Sequence, residues 1–169
     1  MNHEATGVSV ILPIDPATLS TAQQKVMNFT TKRIITNPRV AKAMRVVSAF
    51  AKPYASDVRR AIDGSHGYRL SVCFSFAYPK SMLNTRAKRA AAIDGAPVLS
   101  ARYGDLDNRA KAFIDALVKA GWMDDDHLIA EMWLRKEYTL RTPCICVLIA
   151  PADANRRKYN PRSDVNELS

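Results

Sequence analysis

The sequence predicts a single domain of the α/β or α+β class: a mixed β-sheet of about four strands packed against two or three helices. Three observations lead there. Short β-branched runs with a two-residue repeat share the chain with segments of helical spacing, the pattern of mixed sheet-and-helix domains. Hydrophobic residues make up 47 % of the 169 residues, too many for a disordered chain. A globule of this length buries about two thirds of its unfolded surface, so one domain needs no covalent staples.

The elements follow in order. Val8 to Leu12 is β-branched and apolar, and Pro13 and Pro16 stop it, which predicts a short strand and a loop. A helix is expected around Thr21 to Thr31. Asn37-Pro38 starts another, because Asn caps helices and Pro fits the first helical position. Val40, Ala43, Met44, Val47 and Phe50 continue it at helical spacing; Pro53 interrupts, and a second piece runs from Ala55 to Ile62. Gly64 and Gly67 mark a turn. Leu70, Val72, Phe74 and Phe76 then share one face of a strand from Arg69 to Tyr78. Residues 79–104 form a basic insertion of 26 residues, long for a loop, with room for a short helix at Leu83 to Ala92. Leu106 to Ala120 is a helix with one apolar stripe (Leu106, Ala110, Phe113, Ile114, Leu117), ended by Gly121. A strand from about His127 to Lys136 lines one face with Leu128, Ala130, Met132 and Leu134. Pro143 to Ile149 is apolar on both faces and reads as a central strand. The domain is expected to span residues 1–150, with 151–169 as a polar, flexible tail carrying Arg156, Arg157 and Lys158.

The chain has 25 Lys and Arg against 16 Asp and Glu, a net charge of +9 and a pI near 9.7. That balance favours a polyanionic partner. Three cysteines, an odd number, and a start (MNHEATG) without a secretory leader point to a reducing compartment, so the expected location is the cytoplasm. Cys144 and Cys146 form half of a zinc motif at most. Their apolar surroundings read as buried core. No apolar stretch approaches the ~20 residues of a membrane span. Neither a membrane nor an organic cofactor is expected.

The acids are concentrated. Residues 105–138 hold 8 of the 16, leaving 20 basic residues against 8 acids elsewhere. An Asp105-x-Asp107 pair opens the helix, and period two lets both side chains point one way if the first is extended. Two carboxylates about 4 Å apart repel by roughly 4 kcal/mol at an effective dielectric near 20, and a divalent cation turns that repulsion into binding. Magnesium, which takes hard oxygen ligands and few protein contacts, suits such a site. Helix capping accounts for one Asp, not for the pair plus Asp124, Asp125 and Asp126. The helix runs about 20 Å, and the six steps from Ala120 to Asp126 reach at most about 20–22 Å. Bringing Asp126 beside Asp107 therefore requires residues 121–126 to run nearly straight back along the helix, unless a second subunit completes the site.

The run Asp105-Leu106-Asp107-Asn108, then Lys111, Asp115, Ala116, Leu117 and Asp125-Asp126, resembles the RusA family of Holliday junction resolvases. The resemblance is close over residues 105–136 and extends loosely to Tyr78-Pro79-Lys80-Ser81. It implies a RusA-like fold and a homodimeric endonuclease that nicks four-way DNA junctions symmetrically with Mg2+, for which Mn2+ substitutes. It implies Asp105, Asp107 and Asp126 as catalytic metal ligands, with Asp125 as a further ligand. Lys111 would face the scissile phosphate, and Asn108 would organise the motif. Lys136 matches a basic family position. Lys80, Arg86, Lys88, Arg89 and Arg102, in or bordering the insertion, are the remaining candidate DNA contacts. Two departures stand out: Gly104 replaces a basic residue or proline, and Asp124 adds a third consecutive acid. Two alternatives stay open: a non-catalytic nucleic-acid binder, and a flap or fork nuclease of the same chemistry.

Overall fold

A computed structural model describes residues 7–19, 25–62 and 67–152. In chain order the elements are β1 (Val8–Leu12), β2 (Lys25–Asn28), β3 (Arg33–Thr36), α1 (Pro38–Ala51), α2 (Ala55–Ile62), β4 (Tyr68–Ala77), α3 (Arg86–Ala91), β5 (Ala96–Pro97), α4 (Leu106–Lys119), β6 (Ile129–Thr139) and β7 (Cys144–Pro151). Five strands form one mixed sheet in the order β1-β7-β4-β6-β5, and β2 and β3 form a separate hairpin. The architecture is α+β, as expected, with one more sheet strand and one more hairpin.

The sheet's single parallel pair is β4 with β6. Parallel neighbours need a crossover, and α4 supplies it. β7 runs antiparallel between β1 and β4, the central position its apolar sequence requires. Helices α1, α2 and α4 cover one sheet face. Val40, Met44 and Val47 of α1, Val58 of α2, and Phe113 and Leu117 of α4 pack with Leu70, Val72, Phe74, Phe76, Ile145, Val147 and Ile149. Phe74 meets Phe113 edge to face, with centroids 5.5 Å apart. Trp122 is wholly buried, and its indole N–H donates to the Ala51 carbonyl at 2.8 Å, fastening the end of α4 to the end of α1. Asn37 caps α1 as expected, its side chain accepting from the Arg39 amide at 3.0 Å.

Three expectations need correction. The helix around Thr21 to Thr31 is absent from its described part: residues 25–36 are the β2–β3 hairpin. β-Branched Val26, Ile34, Ile35 and Thr36 favour strands, and the Asn28 side chain accepts from the Thr30 and Thr31 amides to build the turn. The stripe expected on β6 is not continuous. A bulge beside Tyr68 leaves Ala130 unpaired and shifts the alternation, and Met132 is 51 % exposed. β6 is the outer strand there, because β5 pairs only with Glu137 and Tyr138. Cys144 and Cys146 are half-buried rather than core; their Sγ atoms lie 3.8 Å apart, and Cys73 beside them is buried. The insertion holds the short helix it had room for, α3, and is tied to the sheet. Asp94 accepts from the Leu140 amide at 2.7 Å and the Thr139 hydroxyl at 2.9 Å, and β5 joins the sheet edge.

Among the described residues, no helix is long and apolar enough to cross a membrane. Arg156, Arg157 and Lys158 lie outside the described residues.

Candidate active site

Asp105 and Asp107 sit where the chain enters α4. Gly104 has φ +68° and ψ 179°, a conformation reserved for glycine, so this departure from the family pattern has a backbone cause. Asp105 follows in extended geometry (φ −78°, ψ 143°) at the cap position, yet its side chain makes no capping bond. Capping therefore does not explain it. Asp107 lies in the first turn, where the helix dipole favours negative charge. Both residues are exposed, as are Asn108 and Lys111. Lys111 is one turn beyond Asp107 on α4.

Two cations hold the backbone just before the motif. Arg109 is 3 % exposed; its guanidinium donates to the Pro16 carbonyl at 2.6 Å and to the Tyr103 carbonyl at 2.8 Å. It lies 5.7 Å from the centre of the Phe74 ring and 5.1 Å from that of Phe76. Burial lowers its pKa to about 10, and Asp15 acts against that, so it stays charged at neutral pH. The Lys136 ammonium donates to the Gly104 carbonyl at 2.7 Å. The carbonyls of 103 and 104 are thus each pinned by a buried or half-buried cation. Sequence reasoning missed Arg109. Its signal was present: four residues before Phe113, it lies on the buried face of α4.

The three later acids divide their work. Asp124 pairs with Arg59 at 2.8 Å, and the same guanidinium donates to the Gly121 carbonyl at 2.6 Å. Asp125 caps a short 3-10 turn by accepting from the His127 amide at 3.0 Å, and it meets the His127 ring at 2.9 Å. The backbone amide of His127, its side chain, and a hydrogen bond with Asp126 hold the Asp125 carboxyl at about 2. Asp126 is exposed beside it.

One protomer does not unite these two groups. Gly121, at φ +84°, closes α4; its amide donates to Val118 and that of Trp122 to Leu117. The chain then turns directly into β6 instead of running back along the helix. Lys136 touches Gly104, and the seven strand steps from Ile129 to Lys136 cover about 23 Å. Asp126, which precedes Ile129, therefore lies roughly 20 Å from Asp105, at the far end of α4. The expected convergence of Asp105, Asp107 and Asp126 within one chain is not met. Among the described residues, no group of three or more His, Cys, Asp or Glu side chains is placed to hold a metal ion.

The basic candidates separate as well. A cleft of about 560 Å³ at the end of β4 is lined by Asp15, Tyr78, Lys80, Ser81, Arg102 and Tyr103. It brings Lys80 and Arg102 together just ahead of Asp105. Lys88 and Arg89 instead bind the Ser81 and Leu83 carbonyls within the insertion, and Arg86 is exposed at the start of α3.

A family model described as Endodeoxyribonuclease RusA matches residues 13–150. No curated protein matches the chain.

Proposed function

This chain belongs to the RusA family of endodeoxyribonucleases, enzymes that resolve Holliday junctions by hydrolysing DNA, and from that premise we propose a magnesium-dependent homodimer that cuts a four-way junction by paired nicks. The observation that carries this reading is the Asp105/Asp107 pair: two exposed carboxylates, the first uncapped, on a backbone held by Arg109 and Lys136.

The donor set is hard oxygen, which fits magnesium, with manganese able to substitute. A single protomer lacks the third acid. In the dimer we propose, Asp105 and Asp107 of one copy act with Asp126 of the other, Asp125 beside it, and a phosphate of the substrate. Such an ion, when bound, supplies a water of lowered pKa and neutralises phosphate charge. Lys111 faces the scissile phosphate and stabilises the charge that develops there. Asn108 orders the motif. Lys80 and Arg102 hold the approaching strand in the cleft, while Arg86, Lys88 and Arg89 extend the basic surface. Lys136 acts by positioning Gly104 rather than by direct DNA contact. Residues 1–150 serve as one nuclease unit, working in the cytoplasm, and phosphate contacts make binding salt-dependent.

The test is cleavage of four-way junction, flap and linear duplex, with and without magnesium. The expected result is paired, magnesium-dependent nicking of the junction, abolished in Asp105→Asn and Asp126→Asn while junction binding survives. Cutting of flaps in preference to junctions assigns the chemistry to another substrate. Wild-type cutting by either variant overturns the site assignment.

A further inference from the structure

We propose that the β2–β3 hairpin enters the branch point of the DNA and that Phe29, at its tip, stacks on a base there. The inference rests on the junction reading above and identifies how the substrate is distinguished from plain duplex.

The hairpin exposes apolar side chains that a folded domain ordinarily covers. Phe29 is 89 % exposed, Ile34 70 % and Met27 49 %. Met27 and Ile34 are cross-strand partners, so they stand on one face of the ribbon, with Lys25 and Thr36 at its base on the same face. The opposite face carries Val26 and Ile35, both half-buried. One side of the ribbon is therefore partly covered, and the other side and the tip face solvent. The tip is a hydrogen-bonded turn: the Asn28 side chain accepts from two backbone amides at 3.0 and 3.1 Å, and Lys32 takes a left-handed φ of 52°. The turn fixes the backbone that carries the ring and holds the ring out in solvent.

Charge selects the occupant. Residues 16–56 contain no Asp or Glu and seven Lys or Arg, three of them (Lys25, Lys32, Arg33) on the hairpin itself. A second copy of this hairpin would place cation against cation. DNA would not, because phosphates line any path to the bases and each cation near them releases counterions. A two-stranded ribbon fits a DNA groove. Linear duplex has no unstacked base to offer, whereas a branch point does, and aromatic stacking on such a base tolerates any sequence.

The experiment uses the full chain carrying Asp107→Asn, to prevent cutting, and a four-way junction with 2-aminopurine at the branch point. We expect the 2-aminopurine signal to change on binding. Phe29→Ala should abolish that change and weaken junction binding by about tenfold, the scale of one lost stacking contact. Phe29→Trp should retain both, and linear duplex should bind Phe29→Ala within twofold of the parent. An unchanged signal and affinity in Phe29→Ala overturns the proposal. So does a fall from dimer to monomer mass in that variant, which makes the hairpin a subunit contact, or hairpin-dependent binding to anionic vesicles without an effect on DNA. The otherwise unchanged chain is assayed for junction cutting in parallel. If it cuts while Phe29→Ala binds normally, only the hairpin assignment fails. If it neither binds nor cuts, the junction reading fails first.

Discussion

Replacing Arg109 with Met separates the role of the buried guanidinium from that of side-chain bulk. The substitution removes the bonds to Pro16 and Tyr103 and leaves two buried carbonyls without those donors. Each such loss costs roughly 1–3 kcal/mol, and the lost contacts over Phe74 and Phe76 add about 0.5–2 kcal/mol. Relief acts in the other direction. The guanidinium Nε has no hydrogen-bond partner, and desolvating a charge costs several kcal/mol that Met avoids. We expect a net loss of about 2–4 kcal/mol, read by thermal melting as a fall in Tm of roughly 5–10 °C. The functional effect should exceed the stability effect. The Tyr103 carbonyl lies two residues before Asp105, so its release lets the motif shift. Single-turnover junction cutting, measured well below the melting point, should drop at least about tenfold, since small misplacements of reacting groups are expensive. Arg109→Lys, with one compact ammonium for two carbonyls, should fall between. An Arg109→Met protein that melts within a degree of wild type and cuts at the wild-type rate refutes this account of how the motif is held.

Three further outcomes are expected. Gly104→Ala forces a side chain into φ +68° and should cost about 1–3 kcal/mol by chemical denaturation, with cutting reduced at temperatures where the variant is fully folded. Asp94 has its carboxyl held below the usual 3.8 chiefly by the Leu140 amide, with help from Thr139 and Arg141. Its folded-state pKa is thus depressed, so its contribution is present above about pH 3.8 and is lost as pH falls through the folded value. The hydrogen-exchange protection factors of Gly95 and Val98, whose amides bond to β6, should fall in acid, and Asp94→Ala should show that lower protection already at neutral pH. Lys136→Met leaves the Gly104 carbonyl unpaired; it should slow cutting more than it weakens junction binding, a split that a direct DNA contact would reverse.

Much of the molecule was legible because local chemistry and tertiary packing agree. Asn37-Pro38 starts α1, the apolar stripe of α4 faces the core, and β7 is central, each as its residues require. The misreadings have physical sources. Around residues 25–36 no strong helical period exists, and the Asn28 turn and β-branched neighbours settle the chain as a hairpin. On β6 a bulge breaks the period of two, which no pattern of apolar residues records. At the candidate site, the acids and Gly104 could be read from residue type. Their spatial relation could not, because chain length alone permitted Asp126 to return to Asp107. Gly121 and the buried Trp122 decide against that return, and their effect depends on where α1 ends. Arg109 escaped notice because a charge on a helix is usually solvated; only its spacing from Phe113 marked it as buried.

The claim on which the rest depends is that carboxylates from opposite ends of α4 work together across two chains. Subunit mixing tests it directly. Asp107→Asn and Asp126→Asn are each inactive alone in this account. In a mixed dimer, one site carries both substitutions, and the other combines an intact Asp107 with an intact Asp126. Co-refolded mixtures should therefore nick one strand of a four-way junction in magnesium, at a level set by the fraction of mixed dimers, without paired cleavage. Mixtures as inactive as either parent, in a sample shown to contain mixed dimers, would place the working acids within one chain and contradict the account.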